Sequence, residues 1–265
     1  MALIAVTVKQ VRHFPIIEIA FFRNIPTMII IPIILKKKNI SFFGNNKPFL
    51  WFRGLMGIIG MLTIFYTFVN LPLTEAMTIQ QLRPFFIFFL AGIFLKEKLH
   101  LRQIPFFVFA FLGGLLVIKP GFRMDIFPAF IGLLATFFMA AGHITIRHLR
   151  KTDHHLVIIN YLAYISAFIS LILLLFQKNF IVPNSSELFI LFLLGLFALI
   201  SQYSLTKAYQ MAPASLVSLY SYSQIIFSGI FGLLLFKEIP DLLTVIGASF
   251  IIFSGYLNYR IEINN

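Results

Sequence analysis

The sequence predicts an all-α polytopic membrane protein with nine full transmembrane helices, a short N-terminal remnant and two inverted five-helix repeats. Three observations carry this. First, of 265 residues, 60% are hydrophobic and only 11% are charged, with a mean hydropathy of +0.94; a soluble domain carries about 25% charged residues. Second, apolar windows of membrane-spanning length follow one another with no long polar stretch between them. Third, two regions 141 residues apart resemble each other without a gap. Gly54 falls on Gly195, Leu55 on Leu196, Pro72 on Pro213, Phe86 on Phe227, Lys96-Glu97 on Lys237-Glu238, Leu101 on Leu242, Phe109 on Phe250 and Gly114 on Gly255.

A helix needs about 20 apolar residues to cross ~30 Å of hydrocarbon. On that ruler the spans lie near 14–35, 49–71, 73–95, 102–119, 125–148, 155–176, 187–209, 214–236 and 241–258. The 34 Phe suit lipid-facing surface. Moving the 125–148 span back by 141 predicts a helix from about −16 to 7, so residues 1–8 read as its last two turns. Eight residues rise only ~12 Å, too short to cross. His13, falling on His154, supports this register. The expectation is a start placed too late, or a first helix largely lost, which would open the core. Residues 1–121 form the first repeat and 122–265 the second, together one membrane domain.

Charge sets the orientation. Alternating sides places 13 Lys and Arg on one face, among them Lys36, Lys37, Lys38, Arg53, Lys96, Arg147 and Arg260, and six on the other, including Lys9, Arg12 and Lys237. The richer face is cytoplasmic by the positive-inside rule, and the C-terminus lies there. Arg23 and Arg83 belong to neither face. The net charge of +12 is therefore a topology signal and not a nucleic-acid footprint. An odd number of spans per repeat inverts the second copy, the arrangement in which secondary transporters place their substrate between repeats.

Further exclusions follow. There is no Cys, so no disulfide framework or thiolate site. No cleavable signal peptide is visible at the N-terminus. No Gly-Lys-Ser/Thr phosphate loop exists. The nine acidic residues are scattered rather than clustered at one interface, which disfavours a membrane-embedded lipid-modifying enzyme. The run Arg147 to His155 lacks a set of carboxylates or Cys to complete a metal shell and reads as a solvated cytoplasmic loop. No cofactor is implied.

Several residues together resemble the EamA-type members of the drug/metabolite transporter superfamily. They are Phe21-Phe22-Arg23, Arg53-Gly54, Pro72, Pro84, Lys96-Glu97 and Lys119-Pro120-Gly121, with Lys207-Ala208-Tyr209-Gln210-Met211-Ala212-Pro213-Ala214 in the second half. The resemblance covers nearly the whole chain. It implies two inverted five-helix halves moving small metabolites through a central cavity, with amino-acid-, nucleoside- or S-adenosylmethionine-like solutes as candidates. The partners expected are the bilayer of a bacterial-type inner membrane, a small solute and a possible second copy of the chain. A transport-inactive remnant or membrane helper is the alternative.

Polar groups in hydrocarbon are expensive. Two clusters stand out near mid-span: Thr78, Gln80, Gln81 and Arg83, and Ser218, Tyr220, Ser221, Tyr222, Ser223 and Gln224. At the 141-residue offset Gln80 meets Ser221, Gln81 meets Tyr222 and Arg83 meets Gln224. Arg83 is the sharpest feature. Its planar guanidinium suits a carboxylate or phosphate; an ion pair, or bonds to carbonyls freed beside Pro84, would be a purely structural use. Gln202, Tyr203, Thr136 and His143 are further candidates. Arg23 reads as a structural anchor reaching the external surface. Glu18 and Glu75 sit near external helix ends, where solvation is expected and proton coupling is a possible role. Trp51 reads as a belt anchor; Tyr66 is a weaker cavity candidate. Gly113 and Gly114 permit close helix contact, inside the bundle or between copies.

Overall fold

The computed structural model describes residues 2–96, 104–118, 126–177, 180–219, 223–237 and 239–263, and among these the regular elements are all helical. A short helix α1 (Ala2–Gln10) is followed by α2 (Ile16–Lys37) and α3 (Lys47–Asn70). Next come α4 (Leu73–Gln80), α5 (Arg83–Leu90) and a π-helical turn at Ala91–Leu95. Then follow α6 (Ile104–Ile118), α7 (Ile126–Leu149), α8 (His155–Phe176) and α9 (Ser185–Met211). The chain closes with α10 (Ala214–Leu219), α11 (Ser223–Phe236) and α12 (Leu242–Ile263). Among the described residues six helices are long and apolar enough to cross a membrane: α2, α3, the composite Glu75–Leu95, α7, α8 and α9. This is a multi-pass membrane protein.

The third span departs from the continuous helix expected over 73–95. Gln81 and Leu82 tighten the chain, their N–H groups reaching Thr78 O and Ile79 O three residues back. Pro84 has no N–H to offer the Gln80 carbonyl and forces the interruption. The π turn then ends on Lys96, left-handed at φ 53°. Lys237, 141 residues later, is left-handed at φ 55°. Two lysines in a conformation costing L-residues ~1–2 kcal/mol thus stand at matched positions of the offset.

Packing is close where glycine allows it. The α3 helix packs along α7 and α8, α2 along α8 and α9, and α6 along α12. A Cβ on Gly113 would lie 2.6 Å from the Gly247 carbonyl, so the small-residue pair of α6 serves contact within the bundle. The α1 helix is buried against α3, α9 and α11 through Ile4, Ala5 and Val8. Its Lys9 Nζ donates to Leu71 O at 3.2 Å, fastening α1 to the α3–α4 turn.

The segment from Arg147 to His155 is a correction: it is not simply a solvated loop. Arg147 and Asp153 are buried. The Asp153 carboxylate accepts from Asn45 N at 2.7 Å, Asn46 N at 3.2 Å and the Thr152 hydroxyl at 2.6 Å, while Gln210 Nε2 donates to its carbonyl at 2.8 Å. His154 Nδ1 caps α8 by accepting from Leu156 N at 3.2 Å. Burial, with Lys38 nearby, holds this imidazole below its ordinary range, in the neutral form the cap requires. Asp153→Ala removes the acceptor of two backbone N–H groups and is expected to lower unfolding free energy by about 1–3 kcal/mol, read as a lowered melting temperature in detergent.

Two large hydrophobic clusters fill the bundle, one built mainly on α1, α3 and α4, the other mainly on α7 and α8, with a small third between α6 and α12. Where helices pass from one to the other they carry a polar residue. Arg23 falls between Ala20 and Ile31, Arg53 between Leu50 and Ile58, Gln202 between Ala198 and Tyr209, and Gln80 and Arg83 between Ile79 and Ile87.

Candidate functional site

That polar layer encloses a cavity. Its volume is about 50 Å³, with Arg23 of α2, Arg53 of α3, Gln80 of α4, Arg83 of α5, His143 of α7, Gln202 of α9 and Gln224 of α11 among its walls. Since one water needs roughly 10–15 Å³, the space holds a few waters.

Three buried guanidinium groups share this space, Arg23, Arg53 and Arg83 being 6%, 3% and 2% exposed. A guanidinium stays protonated in proteins, and a buried charge normally comes paired with an opposite one. Among the described residues these are not. Arg23 Nη1 donates to Asn24 Oδ1 at 3.3 Å and Met61 Sδ at 2.9 Å. Arg53 Nη2 donates to Gln202 Oε1 at 3.4 Å, and its Nε has no partner among the described residues. Arg83 Nη1 has Met139 Sδ at 3.9 Å. Neutral amides and thioethers are weak acceptors beside a carboxylate, and no acidic side chain among the described residues lines the cavity. Both amide atoms of Gln80 and Nδ1 of His143 are also buried without a partner among the described residues. The His143 ring stacks on Tyr209 at 4.7 Å.

A second opening, about 590 Å³, runs beside α9 past Ile200, Ser201 and Ser204 and shares Arg83, Gln224 and Ile4 with the first cavity. Arg83 and Gln224, matched by the 141-residue offset, therefore stand together on the wall between the two spaces.

Of the residues singled out in the sequence, Arg83, Gln80, Gln202, Gln224 and His143 meet in the cavity. Arg23 meets them there as well, a correction to its reading as an external anchor: its helix face turns toward Met61 rather than to the surface. Glu18 is corrected too. It is fully buried, with the chain after α8 laid over it and Ile181 N donating to its Oε1 at 3.1 Å. Glu75 is half-buried. Gln81 and Thr78 are buried but lie off the cavity wall. Tyr203 packs edge-on to His155, and the Thr136 hydroxyl donates to Leu133 O on its own helix. Trp51 is exposed on the outside and Tyr66 packs edge-on to Phe127. Tyr220, Ser221 and Tyr222 lie outside the described residues, as do the side chains of Ser218 and Ser223.

Arg53 is the residue that sequence reasoning missed, counting it among the cytoplasmic charges. The available signal was depth: six residues past Lys47 it has climbed ~9 Å along the helix. Gly57 and Gly142 flank it, and a Cβ on either would lie 2.6 and 3.3 Å from Arg53 Nη1. The glycines make the slot that holds the guanidinium.

A multi-helix membrane protein with an arginine-lined cavity between its helices has the build of a solute carrier. Comparison with known proteins gives the family: the chain belongs to the EamA-like transporter family, whose sequence model matches residues 1–119 and 126–260, and so to the drug/metabolite transporter superfamily. It is similar to the pseudopaline exporter CntI of Pseudomonas aeruginosa, 28% identical over 240 residues, covering 90% of this chain and 84% of that one. It is also similar to the S-adenosylmethionine uptake transporter of Rickettsia prowazekii, 29% identical over 243 residues and covering 89% and 80%. The mouse solute carrier family 35 member G1 is 29% identical over 264 residues, covering 93% and 72%. A crystal structure at 15% identity superposes with a TM-score of 0.74 over 98% of this chain and 96% of its own, which speaks to the fold.

Proposed function

We propose that this chain is a secondary transporter that carries a small solute through the arginine-lined cavity by alternating access. The observation that carries the reading is the set of three buried guanidiniums with no acid among the described residues beside them. A structural protein gains nothing from unpaired buried charge. A carrier does, because the solute completes the pairing when it enters.

Nine spans in two inverted halves, 1–121 and 122–265, supply the moving parts. Matched lysines in left-handed conformation, and matches to the family's sequence model on either side of the division, support that arrangement. In it, one half rocks against the other and exposes the cavity to each side in turn. The opening along α9 that shares Arg83 with the space of about 50 Å³ is then the route a solute takes to it. The charge asymmetry places the C-terminus in the cytoplasm, with the protein in a bacterial-type inner membrane. A positively charged cavity favours anionic or zwitterionic metabolites over cations.

The test is counterflow. Liposomes carrying the purified protein and preloaded with a mixed metabolite extract should take up labelled anionic solutes several-fold faster than protein-free liposomes. Uptake equal to the protein-free control for every solute class overturns the proposal.

A further inference from the structure

We infer that the solute is a compact polyanion, carrying at least two carboxylate or phosphate groups; this rests on the cavity being the substrate site of the transporter proposed above. Charge balance and geometry both lead there. Three guanidiniums enter one small space from three separate elements, α2, α3 and the start of α5. Like charges in a poorly solvated space repel one another, and desolvation strengthens the repulsion. A monoanion neutralises one of the three and leaves two facing each other in the closed state. A dianion or trianion lets the cavity close near neutrality.

The fixed groups are arranged for more than one acceptor. Arg53 is pinned by Gln202 and held in the slot between Gly57 and Gly142, so its fork is preorganised rather than free to swing out. Arg83 reaches the same cavity from α5, beside Met139 and at the wall shared with the α9 opening. Arg23 stands against Met61. A guanidinium grips a carboxylate or phosphate through paired N–H donors, so three of them on one cavity can take more than one anionic group. Gln80, with both amide atoms unpartnered among the described residues, offers a donor and an acceptor to the ligand's neutral portion. Acidic side chains are placed elsewhere: Glu18 beneath Ile181, Asp153 at the α7–α8 turn, Glu187 on His13, Asp241 at the start of α12, and Glu75 off the cavity wall. No carboxylate among the described residues competes for the site.

The test uses purified full-length protein in detergent and reads thermal stabilisation at matched ionic strength. The probes form a charge series of propionate, succinate and tricarballylate, with pyrophosphate as the phosphate arm and spermidine as the cationic control. Apparent affinity should rise at least tenfold from propionate to succinate and again to tricarballylate, and spermidine should give no shift. Pyrophosphate tighter than tricarballylate would assign the site to phosphates; the reverse would assign it to carboxylates. Arg53→Gln should weaken tricarballylate at least tenfold. Propionate binding as tightly as the di- and tricarboxylates, or no anion binding at all, overturns the inference. The two proposals fail separately. Flux of extract metabolites that the polyanions do not inhibit leaves the transporter and removes the polyanion; charge-ranked binding without any flux does the opposite. The wild-type ligand series is decisive even if a variant does not fold.

Discussion

Arg83→Ala is expected to lower anionic solute flux by about 100- to 1,000-fold without impairing folding or membrane insertion. The size follows from what is lost. Hydrogen bonds to charged groups contribute about 1.5–3 kcal/mol each, and a forked pair of them about 3–4 kcal/mol, where 1.4 kcal/mol is a factor of ten. The protein itself loses little, because the guanidinium is held only by a thioether at 3.9 Å among the described residues. Removing an unpaired buried charge should leave the melting temperature unchanged or raise it, the usual exchange of function for stability. Arg83→Lys keeps the charge but not the fork and should retain a minority of the flux. Liposome counterflow and thermal unfolding on the same preparations decide the matter. Wild-type flux in Arg83→Ala would remove the residue from the site, and a large drop in melting temperature would make it structural.

Six of the helical windows, and the meeting of Arg83 with Gln224, were legible in the sequence because hydropathy and the 141-residue offset report segment length and internal likeness directly. The partners of Arg83 were less so. Arg53 and Arg23 lie within a few turns of a helix end, where a charge can reach the surface or turn inward, and the choice is made by neighbours distant in sequence. For Arg53 these are Gly142 and Gln202; for Arg23 it is Met61. Glu18 is covered by a connection 163 residues later, which no local pattern announces. Pro84 advertised an interruption of its helix, but the π turn before Lys96 has no residue signature in the window.

Gly195→Ala is expected to destabilise the bundle by about 2 kcal/mol and to abolish solute exchange. Gly195 lets α9 lie against α2, where an added methyl would meet the Pro26 ring at 2.5 and 2.6 Å and the Arg23 carbonyl at 3.2 Å. Neither can retreat, since one is a closed ring and the other is backbone. Overpacking of this kind costs about 1–3 kcal/mol or more, which outweighs the ~1 kcal/mol that Gly→Ala gains in a helix interior. The offset partner Gly54 makes the matching contact, α3 against Ile165 of α8, with an added Cβ 3.0 Å from Ile165 Cβ. Both contacts join the first proposed half to the second, so both substitutions should stiffen or displace the surface on which the halves rock. Shifting α2 also moves Arg23, one of the three cavity cations. Gly229 of α11 has no heavy atom of the described residues within 4 Å of such a Cβ. Gly229→Ala should therefore gain about 0.5–1 kcal/mol from propensity alone and retain exchange. Melting temperatures of Gly195→Ala and Gly229→Ala moving the same way would show that the α2–α9 contact does not depend on the missing side chain.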